Sequence, residues 1–463
     1  MKKKFCLILL ACCLLSVSFG CDSGAGAELS TFPSTIVSIL PETSPASKET
    51  PVVQRSERAE NWSADINYLK RNYKMYHPDP FYLCSEEELS WKLDQLVMRV
   101  DDLTDDDIYF ELAEIIAGMG DNHTAVLPPD SIYDQVFPVL VSYFGDRLYL
   151  YGYLEGYDEF APYLLREIIA VNGIDIAYLK EKAARVTAPF NNWQSKELFS
   201  SLRCFNPAFF NWAGCDGQEG YTLQVINENR EVESVVLPVV SLDEYMESDA
   251  VYPETWDESI TFMGHVNWTE YFQEKNGGYV YLSIGPLEVL NGKLFYQDLF
   301  NKTVDLIKTH PTCGKLVIDL RANSGGAVVI VDYIREVLQP LKTLPIKQVF
   351  VITSGYTMSA GIMCLSMFKE ELGAIHIGEP TGQFTSFFYH VSTPMTVNLP
   401  QSQLSFQIAT GWLDSNSVFE EQFDENGRLH EWENTILPDV YVYQDIEDIC
   451  QGRDSVIQWV LNQ

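Results

Sequence analysis

Positive charge is scarce in this chain: 31 Lys and Arg stand against 65 Asp and Glu over 463 residues, a formal net charge of −34. So acidic a surface repels phosphate backbones and argues against a nucleic-acid partner. Lysine is missing altogether after Lys369, so no amine base can come from the C-terminal stretch. Cysteine is sparse beyond Cys21, occurring at Cys84, Cys204, Cys215, Cys313, Cys364 and Cys450. No Cys or His spacing suits zinc and no glycine-rich dinucleotide turn occurs, so nothing calls for a metal or an organic cofactor. Only Cys204 and Cys215 are close enough in sequence to suggest a disulfide, with buried free thiols as the alternative. No repeat of fixed period is present. Hydrophobic residues, by contrast, make up 46% and aromatics 13%, enough to fill the cores of the two or three domains that this length suggests.

Lys2, Lys3 and Lys4 precede the largely apolar run Phe5 to Phe19, which is short for a membrane-spanning helix. Residues 1–20 therefore read as a secretory signal peptide. Ser18-Phe19-Gly20-Cys21 resembles a bacterial lipobox, which would make Cys21 the lipid-attachment residue of a lipoprotein facing outward. Simple secretion, with cleavage near Ala27, is the alternative. Any membrane anchorage would come from acyl chains, since the net charge opposes adhesion to an anionic surface. Residues 21–60 are rich in Ser, Thr, Pro, Ala and Glu and read as a disordered tether.

Residues 61–135 form a helical region. Leu93, Leu96, Val97 and Val100, then Ile108, Leu112, Ile115 and Ile116, recur at helical spacing, behind acidic first turns at Ser85 to Glu88 and Thr104 to Asp107. Gly118-Met119-Gly120 breaks the last helix and presents Asp121-Asn122-His123-Thr124 on a turn. Residues 136–240 are mostly strand-like, with one helix at Ile176 to Val186. Within residues 241–463, strands at Tyr279–Ile284, Lys315–Leu320, Val349–Thr353 and Ala374–Ile377 alternate with helices at Leu294–Lys308, Val328–Leu338 and Ser359–Phe368. That order implies an α/β core with crossover helices over a sheet.

Four places could carry chemistry. Ser359 opens a helix, where unpaired N–H groups and the positive dipole end favour an oxyanion, although a helix-start Ser is ordinarily a cap. Gly325 and Gly326 end the run Asp319 to Gly326 between a buried strand and a helix, and suit close backbone approach as well as a tight turn. His123, among polar neighbours, has the ring that a Ser hydroxyl needs as its base. Glu433, before Leu437-Pro438-Asp439, could orient that ring as the acid of a triad. The remaining histidines, His376 and His390 among them, read as structural or solvated.

Together these segments resemble the serine peptidase family of the tail-specific, or C-terminal processing, proteases and the tricorn core protease. The matching motifs are Gly120-Asp121-Asn122-His123-Thr124, Asp319 to Gly326, Thr357-Met358-Ser359-Ala360, Gly378-Glu379-Pro380-Thr381, and Glu433, Asn434, Pro438 and Asp439. The resemblance covers residue 61 to the C-terminus. It implies a crotonase/ClpP-like α/β core with an N-terminal helical region and a small PDZ-like module, whose ligand-groove portion corresponds to Leu165–Leu179. Processing proteases place a Lys about 25 residues after the Ser; here that stretch is Gly382-Gln383-Phe384-Thr385, which excludes a Ser-Lys dyad. The tricorn-like branch uses Ser, His and Glu, matched by Ser359, His123 and Glu433, with Asn122 where that branch has a Ser. The expectation is an exported serine peptidase acting on peptide or unfolded protein, with oxyanion donors at Ala360 and at Gly325 or Gly326. A catalytically inactive peptide- or ligand-binding protein on the same fold is the rival, and an esterase of small acyl substrates a third reading.

Overall fold

A computed structural model describes residues 55–121, 123–187, 203–256, 267–273, 278–383, 387–390, 395–413 and 435–463. The leader, Cys21, most of the tether, Asn122, Glu433 and Asn434 lie outside the described residues.

Three helices, Glu57–Asn72, Glu86–Arg99 and Asp105–Ala117, begin the described chain, each started by a hydroxyl cap from Ser56, Ser85 or Thr104. Thr104 and Asp107 complete a reciprocal capping box, satisfying first-turn N–H groups that would otherwise lack acceptors. The first helix starts within the stretch read as tether. Its polar composition conceals Ala59, Trp62, Ile66 and Leu69, all buried along one helical face.

A seven-stranded antiparallel sheet follows. Its main path runs Ala250–Val251, Arg147–Leu154, Arg166–Val171, Tyr221–Ile226 and Val232–Leu237, with Val139–Phe144 and Ile174–Asp175 paired alongside. Tyr221–Ile226 alternates buried and half-buried residues, as a strand covered on one face should. The helix Ile176–Val186 falls where its sequence placed it. Cys204 and Cys215 are buried free thiols, and burial pushes them up to about 12 and about 11. Of the two expectations for this pair, the structure has the free thiols.

The core sheet orders its six strands as Trp268–Phe272, Tyr279–Ser283, Lys315–Asp319, Gln348–Thr353, Ile375–Gly378 and Val440–Tyr441. The first pair is antiparallel and the others are parallel. Helices Gly292–Thr309, Val328–Val337 and Ala360–Leu372 cover one face through Val280, Leu282, Leu316 and Ile318. Helix Ser455–Leu461 packs on the other through Tyr281, Val317, Phe350 and Ile352. Both faces are buried, which is why these strands read as nearly continuous apolar runs. Arg321 locks the strand ends to the C-terminal helix: its guanidinium donates to Asp319 at 2.6 Å and to Asp454 at 2.7 Å, while Tyr281 donates to Asp319 at 2.6 Å.

A hairpin of Met395–Asn398 and Ser405–Ile408 leaves the core and reaches back to the N-terminal region. Ser405–Ile408 pairs with Ala125–Val126. The buried Asp65 carboxylate accepts the N–H groups of Gln401 at 2.9 Å and Ser402 at 2.7 Å. Leu399, Leu404, Phe406 and Ile408 enter the N-terminal hydrophobic core. This strap sets where the turn carrying His123 lies against the core sheet.

Candidate active site

Parallel strands aligned in one direction bring their carboxyl ends to one edge, where the following loops converge. The loop after Gln348–Thr353 is tied to the loop after Lys315–Asp319: Thr357 Oγ1 donates to the Leu320 carbonyl at 2.8 Å and Ser354 Oγ to the Arg321 carbonyl at 3.0 Å. Ser359 then adopts φ 53° and ψ −127° immediately before helix Ala360–Leu372. Such a backbone is costly for a residue with a Cβ and persists only where its surroundings enforce it. Here the Ser359 N–H donates to Gln383 Oε1 at 2.8 Å, and the Gln383 side chain is buried.

Gly325 lies directly against the serine: a Cβ on it would stand 2.5 Å from Ser359 Cβ, and its φ is +102°. Only glycine fits there. Its N–H, however, already donates to Asn323 Oδ1 at 2.9 Å. Gly326, at φ +123°, bridges Leu287, but that bridge uses the Gly325 carbonyl and the Ala327 N–H and neither polar group of Gly326. Of the two glycines considered as donors, Gly326 is thus the one not committed to Asn323. Ala360 is the first residue of the helix, and Gly361 and Ile362 donate to the carbonyls of Met358 and Ser359.

The histidine arrives from the other side. Asp121 is buried and accepts the His123 N–H at 2.8 Å, folding the turn back on itself. Thr124 Oγ1 accepts the Ala409 N–H at 3.0 Å, fixing the turn to the strap. The second Asp121 oxygen lies 3.0 Å from His77 Nε2. His77 Nδ1 accepts the Asp79 N–H at 3.1 Å, so its proton is on Nε2 and is donated to Asp121. Burial alone would raise the Asp121 carboxyl, but the bonds from His77 and Thr124 and the neighbouring His123 hold it below the ordinary carboxylate range.

His123 Nε2 lies 3.4 Å from Ser359 Oγ. Phe387 stacks on the ring at 5.7 Å and 11°, and His390 meets it nearly at right angles at 5.4 Å. Burial pushes the imidazole below its ordinary value against the opposing field of Asp121, so the ring is neutral near pH 7. A neutral ring nitrogen beside a serine hydroxyl is what proton abstraction requires.

His123 and Gly325 thus both lie against Ser359, with Ala360 next to the serine and Gly326 next to Gly325 in the chain. Glu433 lies outside the described residues. Just beyond it, Thr435 is buried and donates to the Thr381 carbonyl, and Ile436 N–H donates to Thr381 Oγ1 at 2.8 Å. His77 escaped the sequence reading, and His390 was set aside there as structural or solvated, because no spacing ties either to Ser359. The one local signal was that Gln383 occupies the stretch where the processing proteases that the motifs resemble carry a lysine. His376 is structural, as expected: it is buried, 2.6 Å from Thr353 Oγ1, and burial pushes it down to about 3.

No protein-family model and no curated protein matches the chain. Among solved structures, mature CPAF complexed with lactacystin matches 88% of this chain and 98% of its own, with 13% identity and a TM-score of 0.57. A second structure of mature CPAF matches 88% of this chain and 96% of its own, with 12% identity and a TM-score of 0.53. The photosystem II D1 C-terminal processing protease aligns over 87% of this chain and 99% of its own at 10% identity, with a TM-score of only 0.35. The CPAF structures share this chain's overall fold.

Proposed function

We propose that the protein is an exported serine peptidase. Ser359 is its nucleophile, His123 its general base and Glu433 the acid that orients the imidazole, as in the tricorn-like branch that the motifs resemble. The observation that carries this reading is the approach of His123 Nε2 to Ser359 Oγ across 236 residues of sequence. In the first step the Ser359 Oγ–H proton passes to His123 Nε2 while Oγ bonds to the substrate's peptide carbonyl carbon. The carbonyl oxygen takes the electron pair and faces the N–H groups of Ala360 and Gly326. Each such donor is worth about 10²- to 10³-fold in turnover. The intermediate collapses, the imidazolium gives its proton to the departing amine, and an acyl-enzyme remains. Water, deprotonated by the same ring, then hydrolyses the acyl ester and regenerates Ser359.

The assignment of Glu433 draws support from Thr435. Two residues of chain reach no more than about 7 Å, and Thr435 is bonded to Thr381, which neighbours the Gln383 segment that holds Ser359. Residues 136–240, which hold most of the antiparallel sheet, are the PDZ-like module of this reading, able to take a peptide end by strand addition. Residues 1–20 direct export, and Cys21 is the lipid-attachment residue.

The test is hydrolysis of a peptide library by the wild type and by Ser359→Ala, beside simple esters. Peptide cleavage that falls about 10⁶-fold in the variant is the expected result. Undiminished cleavage by the variant rejects the assignment. Turnover of esters alone makes the protein an esterase, and turnover of neither makes it a binding protein.

A further inference from the structure

His123 must hold its proton on Nδ1 if Nε2 is to accept from Ser359, because a neutral imidazole carries only one. That Nδ1 is buried and has no hydrogen-bond partner among the described residues. A buried donor without an acceptor is costly, and native structures seldom leave one. The Nδ1 of His390 is in the same condition. The His390 ring is tied to the backbone at Ile408, and since Nδ1 is unpaired that bond runs from Nε2–H to the Ile408 carbonyl. Its Nδ1 is therefore a lone-pair acceptor. Burial and the neighbouring His123 push His390 down to about 4, so it remains neutral and accepting through the neutral pH range. A donor and an acceptor without partners among the described residues thus sit on two rings 5.4 Å apart, edge to face at 73°.

We propose that His390 is a positioning residue for His123, its Nδ1 accepting the His123 Nδ1–H through one bound water. The assignment rests on the Ser359 and His123 reading above and adds to it a second acceptor beside the Glu433 carboxylate. A water with two ring nitrogens as partners satisfies both groups and is nearly as favourable as a direct bond. Held this way, the imidazole keeps the tautomer that leaves Nε2 free, and the imidazolium formed on proton transfer retains an acceptor. Ile408 lies on the strand paired with Met395–Asn398 and, at its neighbours, with Ala125–Val126, so the strap that places His123 also places its partner.

The experiment compares the wild type with His390→Asn, His390→Gln and Glu433→Gln. The readouts are the rate of fluorophosphonate labelling at Ser359 and kcat and KM on a cleaved peptide, with thermal melts to establish folding. An Asn amide puts its oxygen near the position of ring Nδ1, whereas a Gln amide reaches the position of Nε2. His390→Asn should stay near wild-type rates. His390→Gln should lose about 10- to 100-fold in kcat at unchanged KM, the size of one hydrogen bond to a charged group. The reverse pattern would mean that only the tether to Ile408 matters, and it overturns the proposal. So does a loss confined to Glu433→Gln. Nitrogen NMR of the imidazoles gives a readout independent of turnover: His123 should be the Nδ1–H tautomer and His390 the Nε2–H tautomer. The opposite tautomer at either ring overturns the proposal, whereas the expected tautomers in a protein that neither labels nor cleaves would defeat the hydrolase reading and leave the histidine pair standing.

Discussion

The two halves of the site are built by opposite means. The serine half is local: loops after adjacent parallel strands interlock through Thr357, Ser354 and the Asn323 carbonyl, which accepts the Met358 N–H, and a glycine admits the serine backbone. The histidine half is assembled from afar, by Asp121, His77, Phe387, His390 and the strap that Asp65 and Thr124 hold. Short loops on a sheet of buried strands form a rigid platform, whereas a turn held by long-range contacts depends on the docking of two regions. Damage to the first should therefore abolish reactivity in place, and damage to the second should separate two intact parts.

The sharpest break is Gly325→Ala. The added methyl would stand 2.5 Å from Ser359 Cβ, at a φ that side chains rarely adopt, and displacing the nucleophile by even about 1 Å can cost roughly 10²-fold. Labelling of Ser359 should fall by that much or more while His123 stays docked, which hydrogen exchange at the Ala409 amide would report. Asp65→Ala should do the converse. It removes the buried carboxylate that accepts the N–H groups of Gln401 and Ser402, and the loss of these bonds to a charged group should cost about 1–3 kcal/mol. Exchange should accelerate along residues 395–408 and leave Lys315–Asp319 protected. Equal acceleration in both would erase the distinction between the halves.

This division also explains what could be read from the sequence. The core strands and helices, and Ser359 with its two glycines, were legible because a buried parallel strand is an apolar run and the turn after it must be small or polar. The helix at Glu57 was not, since its few apolar residues are spread among charges. The surroundings of His123 were legible only in part. His77 lies 46 residues before it and His390 lies 267 after it, and Phe387 resembles any core aromatic; their proximity comes from tertiary pairing of the strap, which leaves no local pattern. Gln383 shows its role only in the bond to Ser359 N–H.

Acid should tell the halves apart less strongly. His376 on the core side and His390 on the other are pushed down to about 3 and about 4, so the unfolded chain takes up protons below about pH 6.5 that the folded chain refuses. Stability should fall as pH drops from about 6.5, by about 1.4 kcal/mol per pH unit for each ring, and the fall should slacken below about 4 for His390. Urea titrations of the wild type and of His390→Asn across that range measure the difference. The smallest effect is expected from Asp121→Asn. The Asp121 charge raises the His123 imidazole against burial, so removing it should lower that ring further and move the acid limb of kcat/KM to lower pH. A shift to higher pH would contradict the electrostatic account of the turn.

The central claim is that a hydroxyl and an imidazole 236 residues apart form one reactive pair. Fluorophosphonate labelling followed by mass mapping of the modified residue, in the wild type and in His123→Ala, tests it most directly. The account predicts a single adduct on Ser359 in the wild type and its loss in His123→Ala. An adduct elsewhere, or undiminished labelling of Ser359 without the imidazole, would contradict it.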